Sequence, residues 1–106
     1  MAELFVLEFD GFGEDVYRKV NEALGMDMDT GDGDWPAGMI THAGGKTPTG
    51  WIVVEVWDSR ESQEKFMNER LGAALQKSGV QGPPKKAEWT TLTAHQQPNK
   101  GNVATG

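Results

Sequence analysis

The chain has 106 residues, no cysteine, 16 acidic and 10 basic side chains, and a net charge of −6. That length suits one domain with a modest core. The missing cysteines exclude disulfides, thiolate zinc sites and a cysteine nucleophile, and the scattered basic residues exclude a phosphate-tracking surface, so neither nucleic acid nor an anionic membrane is an expected partner. The start, Met1 to Leu7, has no basic n-region, and no segment approaches the ~20 apolar residues that span a bilayer. A cytoplasmic protein is expected.

Residues 3 to 9 alternate as a first strand, with Phe5, Leu7 and Phe9 on one face and Leu4, Val6 and Glu8 on the other. Gly11-Phe12-Gly13 breaks it. Val16, Tyr17, Val20, Ala23 and Leu24 then recur at helical spacing, with Glu14 and Asp15 in the first turn, where the helix dipole favours acids. Gly25 is a natural helix stop. Residues 25 to 37, rich in Gly and Asp, predict a loop, and Met39 to Ala43 a short second strand. Residues 44 to 50 are turn chemistry. The next stretch, Trp51 to Trp57, is apolar on both faces: Ile52, Val54 and Val56 on one, Trp51, Val53 and Trp57 on the other, interrupted only by Glu55.

Asp58 and Glu61 have the offset of a capping box for a second helix, which Gly79 ends and Pro83-Pro84 keeps from restarting. Lys86 to His95 predicts a last strand, and residues 96 to 106 a polar tail. The order strand, helix, strand, strand, helix, strand is that of the α+β ferredoxin-like plait, a four-stranded antiparallel sheet with both helices on one face. Both faces of the sheet are apolar, and whichever one the helices leave bare is a patch that monomers rarely expose. A homodimer joined sheet to sheet is therefore expected.

Several motifs lead nowhere. Gly11-Phe12-Gly13 lacks the third glycine of a dinucleotide turn, and acids at 14 and 15 would repel a pyrophosphate. Gly45-Lys46-Thr47 lacks both the leading glycine and the following helix of a P-loop. Asp27, Asp29, Asp32 and Asp34 crowd one loop but miss the Gly and Glu positions of an EF-hand, so no metal is expected.

The acids and histidines inside strands are sharper. His42 is placed to move a proton near neutral pH if a carboxylate adjoins it, and His95 sits at the edge of the tail. Glu8 and Glu55 each break an apolar face on adjacent strands, where they could pair with an arginine such as Arg60 or Arg70, lie at a dimer rim, or meet each other. If they met, their repulsion would raise at least one pKa. The four tryptophans are core or interface mass, or the walls of a pocket for a flat ligand.

Residues 36 to 42, followed by residues 50 to 61 with their Trp-Ile-Val-Val-Glu-Val-Trp strand, resemble the dimeric α/β-barrel superfamily. Within it, the chain is similar to small bacterial proteins of the antibiotic biosynthesis monooxygenase type. The resemblance implies two facing plaits, each with a hydrophobic cavity between sheet and helices. It also implies chemistry that needs no cofactor, on aromatic substrates, with haem-degrading proteins among the relatives. Phe66 stands where such oxygenases often carry a histidine.

On this basis the expected site has His42 and Glu55 as catalytic residues. Tyr17, Trp51, Trp57 and Phe66 are the expected pocket walls. No cofactor is expected, and the partners are a second copy of the chain and a small apolar or aromatic ligand. The other reading of the same residues is a non-catalytic dimeric structural or protein-interaction module.

Overall fold

The structure is a computed structural model, and it describes residues 1–80 and 82–98. Four strands, β1 (Glu3–Asp10), β2 (Met39–Lys46), β3 (Gly50–Trp57) and β4 (Lys86–Thr91), form one antiparallel sheet in the order β2-β3-β1-β4. One helix, α1 (Glu14–Leu24), follows β1. A helical arm follows β3 and consists of α2 (Arg60–Phe66), a π-helical turn (Met67–Leu71) and α3 (Gly72–Lys77). This is the expected ferredoxin-like α+β plait. No helix among the described residues is long and apolar enough to cross a membrane.

Alternation decides the layers. Phe5 and Leu7 of β1 and Trp51, Val53 and Trp57 of β3 are buried in one cluster with Val20 and Leu24 of α1 and Phe66 and Ala74 of the arm. The other face carries Leu4, Val6, Ile52 and Val54, all half-buried. Residues after β4 cover one end of that face. Leu92 N–H bonds the Ala2 carbonyl at 2.9 Å, and Gln97 Nε2 donates to Thr41 Oγ1 on the far edge strand at 3.4 Å. Val56 is buried at that end, so the outer face is less bare than alternation alone implies.

Several boundaries differ from the sequence reading. β2 runs on to Lys46, because Gly44, Gly45 and Lys46 pair with Val53, Ile52 and Trp51. β4 stops at Thr91, four residues before His95, since β1, its only neighbour among the described residues, begins at Glu3 opposite Thr91. The helix cap is Ser59 rather than Asp58. The Ser59 Oγ accepts the Ser62 N–H at 3.2 Å, while Asp58 accepts the Ser62 hydroxyl at 2.6 Å. Of the expected tail, residues 99 to 106 lie outside the described residues.

The π turn was not foreseen. Gly72 N–H bonds the Met67 carbonyl five residues back, and the extra residue breaks the 3.6 period. As a result Phe66, Met67, Leu71 and Leu75 all face the space between arm and sheet. Arg70 lies over the Phe66 ring and reaches past it. Its Nη2 donates to the carbonyls of Leu24 at 2.8 Å and Asp34 at 2.7 Å, tying the arm to the end of α1 and to the acidic loop. In that loop the Asp27 carboxylate accepts the N–H groups of Asp29 and Thr30, a local turn bond of the kind aspartate favours.

Candidate functional site

A cavity of ≈ 630 Å³ lies between the sheet, α1 and the helical arm. Its walls are mostly apolar, with Leu7, Phe9, Val53, Phe66 and Leu71 among them. Tyr17, His42 and Glu55 reach it from three different elements. The volume and the sparse polar groups are those of a small-molecule site.

These three side chains form a hydrogen-bonded row. His42 and Glu55 are direct partners in the β2–β3 register, so alternation brings both to the helix-covered face. A bulge between Met39 and Thr41 sets this phase. His42 Nδ1 lies 3.1 Å from Glu55 Oε2, and the other carboxylate oxygen accepts the Trp57 indole N–H at 3.0 Å. Across the row, His42 Nε2 is hydrogen-bonded to the Tyr17 hydroxyl. A carboxylate oxygen facing Nδ1 accepts its proton, so in the neutral ring Nδ1 is the N–H. Nε2 is then a lone pair that accepts from Tyr17. The arrangement is a phenol, an imidazole base and an orienting carboxylate in line.

Local packing holds each member. The Tyr17 and His42 rings lie nearly parallel, 5.8 Å between centroids, and Trp35 tilts against His42 at 5.4 Å. Trp35 is itself fixed by an indole bond to the Gly31 carbonyl at 2.7 Å. Asn21, one turn along α1, donates to the Tyr17 carbonyl at 2.8 Å. Gly44 leaves room for this packing: a Cβ there would lie 3.0 Å from both Trp51 Nε1 and Tyr17 Cζ. Burial pushes the Tyr17 phenol up to about 12, against the pull of the Asn21 amide and with help from the Glu55 carboxylate. At neutral pH Tyr17 is therefore a protonated phenol, able to pass a proton along but not to act as a resident phenolate.

Of the residues singled out from sequence, Tyr17, His42, Glu55 and Phe66 line the cavity, and Trp51 and Trp57 do not. Trp57 is wholly buried behind the wall, its ring 5.8 Å from that of Phe66, and it reaches the site only through Glu55. Trp51 packs on Tyr17 at 4.9 Å. Its indole N–H is the one buried side-chain polar atom without a partner among the described residues. Both tryptophans are large enough to fill the layer beneath the cavity, which alternation cannot distinguish from lining it.

Glu8 and Glu55 do not meet. Glu8 pairs across from Ile52 and points to the outer face, where Lys86 Nζ lies 3.5 Å away, whereas Glu55 faces Phe5 on the inner side. Repulsion between the two acids, one of the readings of the sequence, is thus absent, because register puts them on opposite sides of the sheet. His95 does not line the cavity; it lies beside a second cleft of ≈ 900 Å³ that shares Trp35, Met39 and His42 with the first. Asn21 was not selected from sequence, and Trp35 entered only as one of the four tryptophans that could wall a pocket. Asn21 stands four residues after Tyr17, the helical spacing that marks a shared face. Trp35 gave no comparable signal, since its loop has no periodicity.

No protein-family model matches the chain, and no curated protein does. Among solved structures, a candidate antibiotic biosynthesis monooxygenase from Chloroflexus aurantiacus J-10-fl superposes with a TM-score of 0.60 at 11% identity. The match covers 93% of this chain and 100% of that one. At such identity the likeness is one of fold. The ferredoxin-like fold of the single chain, as expected from residues 36 to 61, is thus shared with that protein.

Proposed function

We propose that the protein is a homodimeric enzyme of the monooxygenase-like type that binds a small aromatic molecule and takes a proton from it, without metal or organic cofactor. One observation supports this most: a His42 base whose two nitrogens are occupied by Tyr17 and Glu55, at the edge of an otherwise apolar cavity. The name of the solved structure that shares the fold points the same way.

The chemistry follows from the row. A ligand hydroxyl or activated methylene gives its proton to the Tyr17 oxygen as Tyr17 gives its own to His42 Nε2, so Tyr17 ends neutral. The imidazolium that forms is stabilised by the Glu55 carboxylate at 3.1 Å. The ligand anion is then electron-rich enough to reduce dioxygen itself. For a methylene flanked by aryl rings, the carbanion and O2 give a hydroperoxide anion, which His42 reprotonates. Loss of water leaves a carbonyl, so CH2 and O2 become C=O and H2O.

Dimerisation is part of the reading. Leu4, Val6, Ile52 and Val54 form an apolar strip across β1 and β3, the two central strands. Covering ~800 Å² of such a face per partner is the scale of a stable interface.

The test is oxygen uptake with anthrone and a naphthohydroquinone as probes, using the wild type and His42→Ala. The expected result is uptake matched by quinone formation, lost in His42→Ala while the probe still binds. Binding with no turnover by the wild type would instead identify a non-catalytic ligand-binding module.

A further inference from the structure

The cavity holds one formal charge, the Glu55 carboxylate. Among the described residues no lysine or arginine lines it. The three arginines, with Lys85 and Lys86, are engaged elsewhere. Arg70 lies 5.5 Å from the Phe66 ring but spends its guanidinium on the Leu24 and Asp34 carbonyls and the Asp34 carboxylate. Arg18 bridges Glu14 and Asp29, Arg60 holds Glu3, and Lys85 and Lys86 face Asp10 and Glu8. The polar side chains contributed by the helical arm are the neutral amides of Asn68 and Gln76, both exposed at the rim.

We propose that this site selects its substrate by charge. It accepts an uncharged flat aromatic molecule with an acidic hydroxyl or methylene at the His42 end, and neutral hydrogen-bonding groups where Asn68 and Gln76 stand. It rejects carboxylated, phosphorylated and sulfated molecules. This rests on the ligand-binding reading given above. Physically, proton transfer from a neutral ligand to His42 is internal to the cavity and leaves its net charge unchanged. A ligand that brings its own carboxylate adds a second negative charge to a cavity that already holds a buried one, with no cation among the described lining residues to answer it. Porphyrins bearing carboxylates fall on the rejected side.

Tryptophan fluorescence titrations at pH 7.5 with three probes separate charge from size: 2-naphthol, 6-hydroxy-2-naphthoate and its methyl ester. The ester is the bulkiest and is neutral. The expected order is naphthol and ester together, with the carboxylate at least ~10-fold weaker, the scale of one unit-charge repulsion at intermediate dielectric. Asn68→Lys, which puts a cation on the exposed rim, is expected to narrow that gap by strengthening the carboxylate relative to the ester. Carboxylate binding within twofold of the ester would overturn the inference and leave the cavity reading standing. An ester as weak as the acid would overturn it in favour of size. If neither naphthol nor ester binds, the ligand-binding reading fails, and this inference fails with it.

Discussion

Replacing Glu55 with glutamine probes the row at its anchor. Glu55 is 3% exposed and accepts two hydrogen bonds, from Trp57 at 3.0 Å and from His42 at 3.1 Å. Glutamine has a single acceptor oxygen. If that oxygen stays on Trp57, the amide N–H2 faces His42 Nδ1, which must then be the lone pair, and the ring proton moves to Nε2. Tyr17 can no longer donate to His42, so the relay runs backwards.

Hydrogen bonds to a charged group contribute about 1.5–3 kcal/mol and neutral ones about 0.5–1.5. Release of a buried charge offsets part of the loss, leaving a net destabilisation of about 1–2 kcal/mol. For a domain of this size that lowers Tm by roughly 4–8 °C per kcal/mol. Nitrogen-15 NMR of the imidazoles reads the tautomer directly, with His95→Ala assigning the second ring. The wild type should show protonated Nδ1 and bare Nε2, and Glu55→Gln the reverse. Oxygen uptake should fall about 10²-fold or more, the range for losing general-base function. Identical tautomers in the two proteins, with unchanged uptake, would refute the reasoning.

Tyr17 is the chain's only tyrosine, so absorbance near 295 nm reports its ionisation alone. It should titrate near 12 rather than 10. Between those values the unfolded chain has lost the proton and the folded one keeps it, so stability is full below pH 10 and falls as pH rises toward 12. A midpoint near 10 in the folded protein would contradict the burial of the phenol. Gly44→Ala should cost about 1–3 kcal/mol in denaturant midpoints, because its Cβ would meet Trp51 and Tyr17 at 3.0 Å. Gly45→Ala, with nothing within 4 Å, is the control and should lose much less. Val54→Lys, on the outer face opposite Val6, should convert a dimer into a folded monomer by light scattering. A wild type that is itself monomeric at micromolar concentration would remove the dimer from the proposal.

Local chemistry made most of the fold legible. Alternation in residues 3 to 9 and 51 to 57, helical spacing from Val16 to Leu24, and the glycines at 25 and 79 each act over a few residues, so the elements and their order follow from the chain alone. The resemblance carried by residues 36 to 61 pointed to the same plait. What stayed hidden was whatever depends on register and on the third dimension. Glu8 and Glu55 look alike in sequence, yet antiparallel pairing sends one to Lys86 outside and the other to His42 within. A bulge at residues 39 to 41, invisible to periodicity, sets the phase that puts His42 beside Glu55. Trp57 could have been wall or filler, and only the packing of the arm over it made it the hidden partner of a carboxylate. Spacing decides which residues share a face. Which faces meet is decided by long-range contacts, whose enthalpy and chain entropy no short window of sequence contains.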